Sequence, residues 1–337
     1  MPLKSVDDRI KIFNKINGYI DKYLDEDKSS SKCLSKRDNK LNFNGRIYLD
    51  SLIKVSSIAG SIYISYIEDD IDCKFITKIQ LKDSNLEADN EIMFLKLIKN
   101  RLILENEKYK TFNIHMPLLY NTLECIDYNP EENIISIKDS SDLSSLNYYS
   151  SFVEKADGSL DDFIKFNKFR EEDLFNIIVQ CFIGLHSCHK LNIFHKDTHT
   201  GNFLYHKIDC NEDEYFEYKL FTRNKTQKTF YLKNIGYNFF VWDFGNSQKI
   251  NKQNKPFIYN DFIVLIISIF DTLMAYNKSL NNSDVLYHLS IAINYYIKKT
   301  NIIEIMYSIF RTKYDYKFIR GSMPENAKIV KTISLYI

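Results

Sequence analysis

The order of hydrophobic patterns predicts an α+β protein in which strands come first and helices second. Three observations lead there. Alternating and β-branched segments recur between Leu52 and Glu154, helical spacing takes over from Asp161, and 337 residues suffice for about two packed units or one bilobed one.

Taken in order, Ile10, Phe13, Ile16, Ile20 and Tyr23 recur at helical spacing and predict a first helix over residues 6–24. It lies within residues 1–50, a polar stretch of mixed charge with a Ser29-Ser30-Ser31-Lys32 patch, expected as a solvated N-terminal extension. From Leu52 to Leu81, the run Val55, Ile58, Ile62, Ile64, Ile67 and then Phe75-Ile76-Thr77-Lys78-Ile79 predicts two or three antiparallel strands. Leu86, Ile92, Leu95 and Ile98, set among charges, predict the helix that follows. Residues 122–126, 134–137 and 151–154 read as further strands, and a hinge is expected near 154–158. Leu174, Ile177, Ile178, Cys181, Phe182 and Leu185 form an amphipathic stripe; residues 262–274 and 285–297 predict two more helices. The resulting plan is an extension over 1–50, a strand-rich part over 51–154 and a helix-rich part over 155–337.

Composition removes several classes. With 45 Lys+Arg against 44 Asp+Glu, the net charge of +1 lacks the cationic surplus of a nucleic-acid coat or a polybasic membrane anchor. Nine Gly and five Pro exclude collagen-like and linker architectures. The cysteines at 33, 73, 125, 181, 188 and 210 form no CxxC pair, so no disulfide framework is expected and a reducing compartment follows. The start leads into charge rather than an apolar leader, and the run from Phe262 to Phe270, bounded by Asp261 and Asp271, falls short of the ~20 residues of a membrane helix. A soluble intracellular chain without a membrane span is expected. His186, Cys188, His189 and Cys181 do not share one helix face, which argues against zinc.

The chemistry concentrates in His195-Lys196-Asp197-Thr198-His199-Thr200-Gly201-Asn202 and, 46 residues after Asp197, in Val241-Trp242-Asp243-Phe244-Gly245. An Asp with an Asn five residues on, then Asp-Phe-Gly after an apolar strand, resembles the protein kinase superfamily. The phrase Gly201-Asn202-Phe203-Leu204-Tyr205-His206 and the Tyr-rich insert ending Asn234-Ile235-Gly236-Tyr237 resemble, more narrowly, the serine/threonine-protein kinases of nucleocytoplasmic large DNA viruses.

The resemblance implies a bilobed kinase-like fold, with a small antiparallel sheet and one helix in the N-lobe and a larger, mainly helical C-lobe. It implies ATP and Mg²⁺ as cofactors and an unidentified protein as substrate, with no nucleic-acid partner. It also implies the host cytoplasm as location, with packaging in the virion as a further expectation. Phosphoryl transfer is mostly positioning and charge neutralisation. By resemblance Asp197 faces the acceptor hydroxyl, Asp243 holds Mg²⁺ across the β- and γ-phosphates, and Asn202 gives a neutral oxygen ligand to a second Mg²⁺. Lys78, in Phe75-Ile76-Thr77-Lys78, stands at the phosphate-binding lysine and Glu91 at its helix partner, with Glu87 the competing choice one turn earlier. Gly60 and Ser57 stand in a degenerate phosphate-covering loop, Glu154 stands at the hinge beside the cofactor, and Asp261 stands where the family braces its catalytic loop.

Three departures matter. Only 18 residues separate Asp243 from Asp261, with no Ala-Pro-Glu, so the peptide-docking platform is truncated. The insert over about 209–234 reads as a β-hairpin extending the catalytic loop's small sheet, in place of part of that platform. His199 stands where Ser/Thr kinases carry Lys, and Lys196 replaces an Arg, so activity independent of activation-loop phosphorylation is expected. His199 and the short segment also fit small-molecule kinases of the aminoglycoside and choline type. A non-catalytic scaffold is a third reading, which the full set Lys78, Asp197, Asn202 and Asp243 disfavours.

Overall fold

The structure is a computed structural model that describes residues 5–25, 33–38, 40–56, 60–82, 87–109, 113–128, 146–221, 227–276, 319–320, 323 and 325–336. Residues 29–32, Ser57, the strand expected at 134–137 and the helix expected at 285–297 lie outside them. The chain divides into two compact units, one built mainly of Asp7–Lys96 and Leu118–Lys155, the other of Leu97–Pro117 and Ala156–Ile337.

The first unit opens with α1 (Val6–Asp25) and continues with β1 (Leu34–Arg37), β2 (Lys40–Phe43), β3 (Ile47–Ser56), β4 (Gly60–Ile67) and β5 (Asp70–Leu81). α2 (Glu87–Tyr109) begins here, and β6 (Leu119–Tyr128) and β7 (Leu146–Val153) complete the sheet. The seven strands run antiparallel in the order β1-β2-β3-β4-β5-β7-β6. Residues 52–81 form three antiparallel strands, β3 to β5, as expected, and the strands expected at 122–126 and near 151–154 fall in β6 and β7; the supposed extension adds β1, β2 and the start of β3.

The expectation of a solvated extension fails for the described part of residues 1–50. Ile16 and Ile20 of α1 are fully buried, and Phe13 stacks on Tyr120 of β6 with ring centroids 5.8 Å apart. Apolar residues at helical spacing gave α1 a face, and the sheet is what that face covers. The unit thus carries α1 as well as the start of α2, not one helix.

The expectation of free thiols also fails at one pair. Cys33 and Cys125 form a disulfide across 92 positions, with Cα atoms 5.9 Å apart. These residues belong to opposite edges of the sheet, so the sheet curls until its edges meet; the Tyr148 hydroxyl of β7 also accepts the Leu34 N–H at 2.8 Å. A pairing made by curvature leaves no spacing motif in the sequence. Cys73, Cys181, Cys188 and Cys210 are free.

The second unit contains β8 (Gly158–Ser159), α3 (Leu160–Phe166), α4 (Glu171–Lys190), β9 (Ile193–Phe194), β10 (Phe203–Lys207), β11 (Glu214–Phe221), β12 (Gln227–Lys233), β13 (Tyr237–Val241), β14 (Gln248–Lys249), α5 (Asn260–Tyr276), β15 (Ile319–Arg320) and β16 (Lys328–Tyr336). Ser159 caps α3 and Asp162 returns the bond, closing a capping box. The stripe Leu174, Ile177, Ile178, Cys181, Phe182 and Leu185 is fully buried on α4, as its spacing predicts. Lys255–Tyr276, which includes α5, is long and apolar enough to cross a membrane by length and composition alone, unlike the shorter run weighed in the sequence. In the fold α5 packs on α3 and α4, with Asp261 buried on it.

Among its described residues this unit is not mainly helical. Three sheets occur, β13-β10-β8, β14-β9 and β15-β12-β11-β16. The insert does form a hairpin, β11 with β12, but it does not extend the small sheet of β10. It builds its own, in which β11 pairs in parallel with β16. Nor is it detachable. Tyr218 is fully buried, and its hydroxyl donates to His115 Nε2 at 2.7 Å while His115 Nδ1–H donates to the Phe239 carbonyl at 2.7 Å. The His115 ring therefore links the insert to β13.

Candidate functional site

Within the first unit, Lys78 of β5 meets Glu91 of α2 at 2.5 Å, with both side chains buried. Gln80, two residues on along the same strand, donates its amide to the same Glu91 oxygen at 2.8 Å. Strand alternation puts Lys78 and Gln80 on one face, which is why both reach the helix. Glu91 rather than Glu87 is the partner. Asp89, in the first turn of α2, accepts from the Tyr149 hydroxyl at 2.5 Å.

Gly60 has a purpose of its own. Its φ of 107° suits glycine, and a Cβ there would stand 1.7 Å from the Ile79 carbonyl oxygen. The residue is required by the close approach of β4 to β5. Glu154, expected at the cofactor, is committed to the interior of this unit. Arg9 clamps its carboxylate through Nε at 2.6 Å and Nη2 at 2.5 Å, the Leu118 N–H donates to Oε1 at 2.8 Å, and the Glu154 N–H donates to the Leu118 carbonyl at 3.1 Å.

The second unit assembles the catalytic segment. Residues 195–199 leave β9 and enter a 3₁₀ turn, Thr200–Asn202, that leads into β10. Asp261, at the start of α5 and 1% exposed, receives the His195 N–H on Oδ2 at 3.0 Å and the Lys196 N–H on Oδ1 at 2.8 Å. His189 Nε2 adds a bond to Oδ2 at 2.8 Å, and Thr198 Oγ1 donates to the Asp261 carbonyl at 2.6 Å. These bonds hold a backbone that passes through a left-handed conformation at Lys196, φ 69°.

Asn202 then joins the two motifs. Its Nδ2 donates to the Asp197 carbonyl at 2.8 Å, and its own carbonyl accepts the Trp242 N–H at 2.8 Å. His195 Nε2–H donates to the Trp242 carbonyl at 2.9 Å, and its ring lies 5.2 Å from that of Phe244. Burial pushes the His195 imidazole below its ordinary value, and Nδ1 is buried with no partner among the described residues, so the ring is neutral. Asp243 follows Trp242 with φ 60°, and its Oδ1 accepts the Gly245 N–H at 3.4 Å. Asp197 and Asp243 therefore emerge from segments that hydrogen bond to each other.

His199 Nδ1 accepts the Gly201 N–H at 3.1 Å, which leaves Nε2 toward Asp197, 3.8 Å from Oδ1. Asn246 Nδ2 donates to Asp197 Oδ2 at 3.2 Å. Asn246 was missed in the sequence; the signal was the polar amide directly after Asp243-Phe244-Gly245. After Ser247 the chain runs through β14, paired with β9, and a 3₁₀ turn at Lys255–Phe257 directly into α5.

Among the described residues no three His, Cys, Asp or Glu side chains converge as a metal site. The hard oxygens of Asp243 and Asn202 suit Mg²⁺ nonetheless, because that ion takes one or two protein ligands and completes its shell with phosphate and water.

No protein-family model matches the chain. Part of it is similar to calcium-dependent protein kinase 5 of Plasmodium falciparum (isolate 3D7), 30% identical over 216 residues that make up 54% of this chain and 36% of that protein. The chain thus spans about a third of the length of that curated relative. The similarity supports a relationship to protein kinases.

Proposed function

We propose that the chain is a protein kinase whose two units are its lobes, transferring the γ-phosphoryl group of ATP to Ser or Thr hydroxyls of a protein. The observation that carries this reading is the Asn202 junction, which bonds the Asp197 carbonyl and the Trp242 N–H and so brings two carboxylate-bearing segments together. The kinase similarity supports phosphotransfer in general.

In this reading the acceptor oxygen bonds to the γ-phosphorus as the bond to the bridging oxygen of ADP breaks. Asp197 orients the hydroxyl and takes its proton, while Asn246 holds one carboxylate oxygen by a hydrogen bond and His199 stands beside the other. Lys78, fixed by Glu91, binds the α- and β-phosphates. Asp243 and Asn202 would hold Mg²⁺, which neutralises phosphate charge when bound.

The test is incubation with labelled Mg-ATP and casein. Wild-type chain is expected to label Ser and Thr, and Asp197→Asn to label nothing while keeping its circular dichroism. Unchanged labelling by Asp197→Asn would end the mechanism. A small-molecule acceptor is the second reading, favoured by the direct run from Asp243 into α5. It predicts unlabelled casein with steady ATP turnover once an alcohol-bearing metabolite is supplied.

The narrower viral type, with host cytoplasm and virion as its locations, belongs to the same proposal and rests on the Gly201–His206 phrase and the Tyr-rich insert. Thiol trapping in infected cells tests the compartment, since a reducing cytoplasm should keep Cys33 and Cys125 as thiols.

A further inference from the structure

The first unit consists mainly of two stretches of chain, and a single buried cluster ties their ends together. Arg9 is the third residue of the stretch that begins at Asp7, Leu118 is the first residue of the other stretch, and Glu154 is its last but one. Arg9 is 2% exposed and Glu154 5%. The guanidinium engages both carboxylate oxygens, Oε2 at 2.6 Å and Oε1 at 2.5 Å, and Leu118 and Glu154 exchange two bonds through their N–H groups.

α1 is fastened elsewhere as well. Lys15 pairs with Asp70 at 2.5 Å, the Tyr23 hydroxyl donates to Asp69, and Asp21 accepts from Asn121 at 2.6 Å. These contacts lie at the β4–β5 turn and on β6, and none of them reaches β7. Arg9 alone of this set holds the end of β7. That strand lies beside the one carrying the phosphate-binding lysine, with Ser151 directly opposite Lys78.

We infer that Arg9 is a positioning residue for the nucleotide: by clamping Glu154 it fixes the end of β7 and, through the Ser151–Lys78 register, the strand that presents Lys78. α1 is then an internal brace on ATP affinity, not only a cover for the sheet. The inference rests on the kinase reading. A planar guanidinium bound at two points fixes direction as well as distance, which a single ammonium or a neutral pair does not.

Removing Arg9 alone would leave a buried carboxylate unpaired and threaten the fold, whereas a neutral pair of similar volume is often tolerated. The test therefore uses the full chain as Arg9→Met with Glu154→Gln, and separately as Arg9→Lys. Melting temperature, the Kd of Mg-ATP by calorimetry, and kcat and KM for ATP are read together. The double variant is expected to melt within about 3 °C of wild type while its Kd and KM rise about tenfold and kcat stays within about threefold. Arg9→Lys should fall between the two.

A second readout is one that a merely structural role would not move. By linkage, Mg-ATP should slow amide exchange across residues 5–25 in wild type and do so far less in the double variant. Wild-type Kd in a folded double variant, or in Arg9→Lys should the double variant not fold, would overturn the inference and leave the kinase reading standing. A wild-type chain that binds no Mg-ATP would overturn both.

Discussion

Asp261 Oδ1 receives the N–H of Lys196 at 2.8 Å across 65 positions of chain, and Lys196 is held at φ 69°. A buried carboxylate thus keeps the residue before Asp197 in a conformation that an L side chain rarely adopts. Asp261→Asn leaves volume unchanged but cannot accept on both oxygens. It is expected to cost about 2 kcal/mol in urea denaturation and to lower kcat about a hundredfold. Loss of stability with full turnover would show that the loop does not need this anchor.

Lys78→Met removes the cation beside a buried Glu91 and should cost about 3 kcal/mol, as breaking a buried pair does. The thermal shift produced by Mg-ATP should disappear with it. Adding Glu91→Gln should restore most of the melting temperature and none of the shift, which separates the fold from the phosphate contact.

Gly60→Ala sets a methyl group against the Ile79 carbonyl at a backbone angle closed to alanine. A loss of about 3 kcal/mol is expected, read from the denaturation midpoint. An equal loss with and without nucleotide would assign the residue to strand packing.

Burial holds His195 neutral below its ordinary value of 6.5. Below pH 6.5 the unfolded chain binds a proton that the folded chain refuses, so stability falls as pH drops through that value and is regained above it. The limiting slope for one proton is about 1.4 kcal/mol per pH unit. Urea midpoints between pH 7 and pH 5 should fall in wild type and fall less steeply in His195→Asn.

Reduction of the Cys33–Cys125 disulfide releases a loop of 92 positions, for which chain entropy gives about 4.6 kcal/mol. Cys33→Ser should be less stable by that amount in urea denaturation, and wild type should lose as much in dithiothreitol.

What the sequence disclosed follows from the range of the interactions. The α4 stripe was legible because its partners recur every three or four residues, and the Asp197 and Asp243 motifs because each is a few residues long. Arg9 carries no signal in the sequence, since its partner lies 145 positions away. The disulfide and the joining of the sheet's edges were hidden for the same reason. Gly60 was noticed on the strength of a degenerate loop, yet the contact that requires it, with Ile79, is made across two strands. The insert's hairpin was visible in its alternation, whereas its pairing with β16 depended on a strand more than a hundred residues downstream.

That last pairing has a consequence for biosynthesis. Glu214 and Lys328 stand side by side at the start of β11 and β16, 114 positions apart. During translation the hairpin emerges ahead of β16, so the flank of β11 that β16 covers in the fold is bare until that strand has left the ribosome. For several seconds at ordinary elongation rates the nascent polypeptide exposes an unsatisfied strand border, open to pairing with a neighbour on the same polysome. High-level expression should therefore yield insoluble product unless synthesis is slowed or a chaperone shields that flank.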